Sequence, residues 1–271
     1  MYTIITGVNG FIGSNLSSSL KESEILTVSR KDPKNLQLYN RNKAISLEDI
    51  GNDEITLVHL ATFFSKENQD DQKVTSANIS YGIDLLKLIS GFNLKKIIYT
   101  NTMYNYYKDD FLRELHYTKT KMEFSKVLFN FSRNQNIAYE EIFLDNTFGI
   151  SDKRKKVLPI IIHHIKENLG NPIQNPENNI NLMHICEVIK RIKLAINSNS
   201  SSSTSFIGTK SINLNSIYLF LNNYFLKNNK SDVHLTYKNN DYLLGFPDID
   251  YLGLEIKNIE NRLIEYIDKW I

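Results

Sequence analysis

The sequence predicts an α/β fold, a doubly wound parallel sheet with a smaller C-terminal lobe, on three observations. Short apolar runs alternate with amphipathic stretches through the first half of the chain. Three glycines, spaced G-x-x-G-x-x-G, stand where the first apolar run gives way to the first amphipathic stretch. After Asn146 the alternation loosens, as it does where one layer of a fold ends and another begins.

Taken in order, the apolar runs place strands at residues 2–6, 24–29, 44–46, 56–61, 96–100 and 138–144. Helices are expected at 11–21, 72–90 and 112–134, where apolar residues recur at helical spacing, as Ile79, Ile83 and Leu86 do. Five or more such βα units make a Rossmann-type sheet. Beyond it, helices are expected at 158–168, 185–197, 214–226 and 254–270, with a short strand ending at Gly208. The serine run at 198–205 has the composition of a flexible connection. The division is expected at residues 1–150 for the dinucleotide-binding domain and 151–271 for a smaller lobe over the strand ends, partly interleaved with it.

The bulk numbers exclude some classes. In 271 residues, apolar types make up 41% and charged types 23%, which suits a globular enzyme. A net charge of +2 gives no reason to expect nucleic acid or an acidic membrane as partner. Cys186 is the one cysteine, so a reducing compartment is expected. MYTIITGVNG has no basic n-region and no long apolar core, and residues 157–162 are too few to span a bilayer; the expectation is a cytoplasmic protein without a membrane partner.

The glycines carry the first chemistry. In TGVNGFIGSNL, Gly7, Gly10 and Gly13 let the backbone turn tightly and approach a pyrophosphate, with Asn9, Phe11 and Ile12 completing the loop. Such a triplet also serves as a bare strand-to-helix turn; the strand before it and the helix after it favour a dinucleotide. At the end of the second strand an acid would bond the ribose 2′-hydroxyl, whereas a cation accepts a 2′-phosphate. Ser29, Arg30 and Lys31 stand there, which favours NADPH over NADH or NAD unless the two cations are simply solvated.

The second chemistry is in HYTKTKMEF. Tyr117 and Lys121 lie four apart on one helix face, so the ammonium lies beneath the phenol. An unperturbed phenol titrates near ~10. A cation ~4 Å away shifts that by a few kcal/mol at an effective dielectric of ~20, before desolvation opposes it. Tyr117 is then a usable general acid. Thr102, in the loop after the strand KKIIYT, offers a hydroxyl to a carbonyl or to the phenol. A Y-x-x-x-K pair alone is commonly a surface pair; its place after that strand and loop gives it weight.

TGVNGFIG, then LVHLAT, then Asn78 in a helix, then IIYTNT and YTKTK resembles the extended short-chain dehydrogenases that act on nucleotide sugars. More narrowly it is similar to the bacterial 4-keto-hexose reductases, the CDP-abequose and CDP-paratose synthases, in LVHLAT, in the short link from threonine to tyrosine and in FLDNTFG. The resemblance implies an NADPH-dependent reduction of the C4 ketone of a nucleotide-activated, CDP-linked 4-keto-deoxyhexose in surface-polysaccharide synthesis. It implies that Tyr117 protonates the forming alkoxide, that Lys121 binds the nicotinamide ribose and that Thr102 holds the carbonyl oxygen. Asn78 would position a water leading to Lys121, and Leu60, Ala61 and Thr62 would line the cofactor. It also implies a homodimer paired through the helices of Asn78 and Tyr117 into a four-helix bundle.

The departures cluster late in the chain. Phe148, Gly149 and Ile150 replace a Tyr-Gly-Pro, and Ile180 and Asn181 replace an Arg-Asp pair. The basic run Lys153, Arg154, Lys155 and Lys156 is either a diphosphate contact or a solvated loop. His184 sits on an apolar stretch and reads as a core residue; no metal site is expected. Two rival functions remain. One is an epimerase with tightly held NAD, its dehydratase version disfavoured because Met103 and Tyr104 follow Thr102 where an acid pair is usual. The other is a non-catalytic dinucleotide sensor.

Overall fold

A computed structural model describes residues 1–30, 36–152, 154, 156–198, 202–208, 211–227, 232–238, 250–253 and 256–269. The chain forms two compact units, the first built chiefly from Met1–Phe143 and Val188–Phe206, the second from Leu144–Glu187, Ile207–Leu243 and Tyr251–Ile271. The elements are β1 (Tyr2–Thr6), α1 (Phe11–Ser17), β2 (Ile25–Arg30), β3 (Leu36–Asn40), β4 (Lys43–Ile45), α2 (Leu47–Ile50), β5 (Ile55–His59), α3 (Asp71–Thr75), α4 (Tyr81–Ile89), β6 (Leu94–Thr102), α5 (Asp110–Glu114), α6 (His116–Asn134) and β7 (Ala138–Leu144). They continue with β8 (Asn146–Phe148), α7 (Val157–Lys166), β9 (Asn179–Ile180), β10 (Leu182–His184), α8 (Ile185–Asn197), β11 (Ser202–Gly208), β12 (Ser211–Asn213), α9 (Leu214–Leu226), β13 (Tyr237–Lys238), β14 (Asp250–Gly253) and α10 (Ile256–Asp268).

In the first unit the strands lie in the order β11-β7-β6-β5-β1-β2-β3-β4. β1 pairs in parallel with β2 on one side and β5 on the other, and β5 with β6. Residues 55–59 of β5 are all buried, as a strand covered on both faces requires. Because β2 and β5 flank β1, the strand order reverses there, the kind of switch point at whose strand carboxyl ends ligands bind in such sheets. Ile4, Leu26, Leu57, Ile97, Leu85 and Phe124 belong to the core that fixes these strands.

Several expectations change. The helix at 72–90 is interrupted by a π-helical turn, Ser76–Ser80, between α3 and α4. The helix at 112–134 breaks at Leu115, whose backbone is extended, so α6 begins just before Tyr117. The first helix ends at Ser17 rather than at residue 21. Residues 36–40 form a strand the sequence reading did not expect, antiparallel to β2 and β4. Arg41 and Asn42 turn that hairpin with φ of 47° and 67°, a two-residue geometry hard to see without the Gly such turns favour. The strand expected to end at Gly208 is β11, and it begins inside the serine run expected to be flexible; its Ser205 is buried and takes a hydrogen bond from Arg191. Small polar residues read as loop by composition, but strand pairing decides.

Lys96 and Arg191 both pair with Glu140 in a buried ion cluster. The Lys96 ammonium also donates to the carbonyl oxygens of Ala195 and Ser198 at 2.8 and 2.9 Å. One of the last carbonyls of α8, that of Ala195, is thereby bound.

The second unit is packed by helices. Leu158, Ile161, Ile162 and Ile165 of α7 meet Ile217, Phe220, Leu221 and Tyr224 of α9 and Ile259, Leu263, Tyr266 and Ile267 of α10. These recur at helical spacing and give each helix one apolar face. β8 and β10 run in parallel. His184 is buried against Phe148, and burial pushes its imidazole down to about 4, so it serves as a neutral core side chain. Among the described residues no helix is long and apolar enough to cross a membrane.

Candidate active site

The glycine loop follows β1. Gly7 has φ of 67°, and a Cβ there would meet the Ala61 nitrogen at 2.9 Å. A Cβ on Gly13 would lie 2.2 Å from the Gly7 carbonyl oxygen, so the first turn of α1 rests directly on the loop backbone. The Gly10 N–H closes the turn onto the Gly7 carbonyl at 2.9 Å. Asn9 and Gly10 are exposed, Phe11 and Ile12 are half-buried, and Gly13 is buried. Bare backbone at an open strand end is the surface a pyrophosphate needs, so these residues fit a dinucleotide.

Beneath the loop, Thr6 ties β1 to β5. Its hydroxyl accepts the N–H groups of Leu60 and Ala61, each at 3.0 Å, and lies 3.2 Å from His59 Nδ1. A hydroxyl with both lone pairs occupied must donate its proton, so His59 Nδ1 accepts and the Nε2–H tautomer is fixed. His59 is packed among Tyr81, Tyr99 and Phe124. Burial first, and the Lys121 charge second, push its imidazole down to about 3, which keeps it neutral.

Asn78 sits on the π-helical turn and is buried. Its carbonyl oxygen accepts from the Thr62 hydroxyl and the Phe63 N–H, both at 2.9 Å. Its NH₂ donates to the Phe63 carbonyl at 3.2 Å and the Thr120 hydroxyl at 3.1 Å. All four hydrogen-bonding places of the amide are used to fasten the loop after β5 to α6.

Thr102 ends β6 and is buried; its hydroxyl accepts the Tyr104 N–H at 3.3 Å. Lys121, one turn beyond Tyr117 on α6, is only 2% exposed. Its ammonium donates to the Thr100 carbonyl at 2.7 Å and lies 4.2 Å from the centre of the Tyr99 ring. That bond draws the start of α6 to the end of β6, two residues before Thr102. Burial pushes Lys121 down to about 7, against the opposing pull of the Glu141 carboxylate. Half-buried Tyr117 is held edge-on by Phe64 at 4.9 Å and Tyr104 at 6.4 Å between ring centres.

Ser29 is exposed near the end of β2, in register with Gln37 of β3. The Arg30 side chain and all of Lys31 lie outside the described residues. In the second unit, Arg154 binds both carboxylate oxygens of Asp152, at 2.6 and 2.7 Å, and the Thr147 carbonyl. Burial pushes Lys156 down to about 8; Lys153 and Lys155 lie outside the described residues. Sequence reasoning passed over Thr6, His59, Phe64, Asn101 and Glu141. Of these, Thr6, His59 and Asn101 had a signal, their places in TGVNGFIG, LVHLAT and IIYTNT.

Residues 3–207 match the NAD dependent epimerase/dehydratase family. CDP-abequose synthase of Salmonella typhimurium is 27% identical over 59% of this chain and 58% of its own length, so the chain matches less than two thirds of that relative. In three dimensions the chain is similar to a UDP-N-acetylglucosamine 4-epimerase from Methanobrevibacter ruminantium M1, with a TM-score of 0.70, 19% identity, and 99% and 97% of the two chains covered. It is also similar to the UDP-glucuronic acid 4-epimerase from Bacillus cereus solved in complex with NAD, with a TM-score of 0.70, 18% identity, and 99% and 97% covered. At these identities the likeness is one of fold.

Proposed function

This chain belongs to the NAD dependent epimerase/dehydratase family, and from that premise we propose that it reduces the C4 ketone of a nucleotide-activated 4-keto-deoxyhexose, CDP-linked, at the expense of NADPH. The observation that carries the reading is the Lys121–Thr100 bond, which gathers the start of α6 and the end of β6 in the same unit as the glycine loop. The partial likeness to CDP-abequose synthase supports the CDP-linked sugar. Ser29 and Arg30 in the sequence support the 2′-phosphate, with Asn9, Gly10 and Phe11 on the pyrophosphate and Leu60, Ala61 and Thr62 along the adenosine side.

When bound, the nicotinamide supplies hydride to the carbonyl carbon. Tyr117 gives its phenolic proton to the forming alkoxide and recovers one from solvent, and Thr102 holds the carbonyl oxygen. The Lys121 ammonium stabilises the transient phenolate and takes a ribose hydroxyl. Asn78 holds the loop of Thr62 and Phe63 at the height α6 dictates. The second unit is assigned the sugar nucleotide. A homodimer through the helices of Asn78 and Tyr117 is the matching assembly; sedimentation as a dimer is its check.

NAD-dependent epimerisation is the second reading, favoured by the likeness to a 4-epimerase solved with NAD. One assay separates the two. NADPH and NADH oxidation is followed with CDP-, dTDP- and GDP-linked 4-keto-6-deoxyhexoses and their 3,6-dideoxy forms. Steady consumption with one of them is the expected result. Inversion of a sugar nucleotide at C4 without net consumption would replace the reductase by the epimerase.

A further inference from the structure

β7 reads YEEIFL, with two adjacent carboxylates buried in a strand. Successive residues of a strand point to opposite faces, so the two acids serve different neighbourhoods. Glu140 pairs with Lys96 and Arg191, as described above. Glu141 faces Asn101, Ser125 and Tyr139.

We propose that Asn101 and Glu141 are a positioning pair for the reacting groups: Asn101 orients Thr102, and Glu141 fixes the amide of Asn101. The inference rests on the role given above to Thr102. The Asn101 side chain bridges the two. Its carbonyl oxygen accepts the Thr102 N–H at 2.8 Å, and its NH₂ donates to Glu141 Oε1 at 2.7 Å, with a longer contact of 3.4 Å to Met122 Sδ. A flip of the amide would put a carbonyl against the carboxylate, so the bond to Glu141 fixes which end of Asn101 meets Thr102.

Glu141 is buried, 8% exposed, at the Asn101 end of this bond. Burial pushes its carboxyl up, against the pull of Ser125, Asn101, Lys121 and Tyr139. A buried Asn101 NH₂ without its acceptor would cost its desolvation, so the bond keeps the amide in one orientation.

Asn101→Ala is the test: kcat is expected to fall about tenfold or more with KM nearly unchanged, because Thr102 is displaced while the rest of the site stays. Glu141→Ala, which leaves the Asn101 NH₂ without its acceptor, should lower kcat likewise, and Glu141→Gln, whose amide oxygen still accepts from Asn101, should recover most of it. An unchanged kcat in Asn101→Ala, or no recovery in Glu141→Gln, would overturn the pair. If the native protein reduces no 4-keto sugar, the functional reading fails instead, and a double-mutant cycle of Asn101→Ala with Glu141→Ala on the unfolding equilibrium still decides: additive changes would overturn the pair.

Discussion

The two units bury different things. Around the carboxyl ends of β1, β5 and β6, the first unit buries Thr6, His59, Asn78, Asn101, Lys121 and Glu141. The helical core of the second unit is a cluster of Ile, Leu, Phe and Tyr from α7, α9 and α10. An apolar cluster tolerates volume-conserving changes, because its attraction has no direction. A buried polar side chain stabilises only with its partner in place, and otherwise costs its desolvation. Directional groups therefore gather where geometry has to be held to tenths of an ångström. The contrast is between regions: the second unit also buries Thr147, Asp152, Asn181 and His184 beside its apolar cluster, and the tolerance belongs to that cluster alone.

The sharpest break of that contrast is at Tyr117. Tyr117→Phe keeps the ring against Phe64 and Tyr104 and removes only the proton donor. Turnover is expected to fall by about 10²–10⁴, the usual worth of a positioned general acid, with dinucleotide affinity within about twofold of the native value. Full activity would remove Tyr117 from the reaction. A smaller contrast sets Gly13→Ala against Leu263→Ala. The first drives a Cβ onto the Gly7 carbonyl and displaces backbone, so dinucleotide affinity is expected to fall about tenfold or more while the rest of the fold survives. The second empties part of the apolar cluster and is expected to cost about 2–5 kcal/mol of stability, with dinucleotide affinity unchanged. Calorimetry and fluorescence titration of both variants give the comparison; equal losses of affinity would erase the distinction between the units.

What was legible follows the same line. The glycine loop, Thr102 and the Tyr117–Lys121 pair are local patterns whose spacing is dictated by one strand end or one helix turn, and the sequence displays them directly. Glu141 was not legible, because a glutamate in a strand reads as a solvated edge until the sheet order buries it. Asn78 was visible as a residue in a helix, but its engagement with Thr62, Phe63 and Thr120 depends on a π-helical turn that no periodicity announces. The hairpin of β3 and β4 lacked its usual Gly, and the strand expected to end at Gly208 was found, beginning earlier than its serines suggested. The helices at 185–197, mostly in the first unit, and at 214–226, in the second, were readable from amphipathic spacing. The short strands of the second unit, of two or three residues each, are defined by pairing alone.

The smallest effect compares two histidines, one from each unit. Burial lowers His59 to about 3 and His184 to about 4, both below the unfolded value of 6.5. Between those limits the unfolded chain binds the proton that the folded chain refuses, so stability falls as pH drops below about 6.5. The slope is about 1.4 kcal/mol per pH unit for each histidine, ending near pH 3 for His59 and near pH 4 for His184. Replacing either by leucine should flatten the acid limb of the stability curve by that one proton. The two differ in what else is lost. His184 packs on Phe148, so His184→Leu should leave dinucleotide affinity where it was. His59 accepts a hydrogen bond from the Thr6 hydroxyl that holds the Leu60 and Ala61 amides, so His59→Leu leaves that hydroxyl without an acceptor and should weaken dinucleotide binding severalfold. Urea unfolding from pH 4 to pH 8, with a dinucleotide titration at neutral pH, reads both. If His184→Leu weakened the dinucleotide as much as His59→Leu does, the polar clamp of the first unit would be no more tightly coupled to the cofactor than the apolar core of the second.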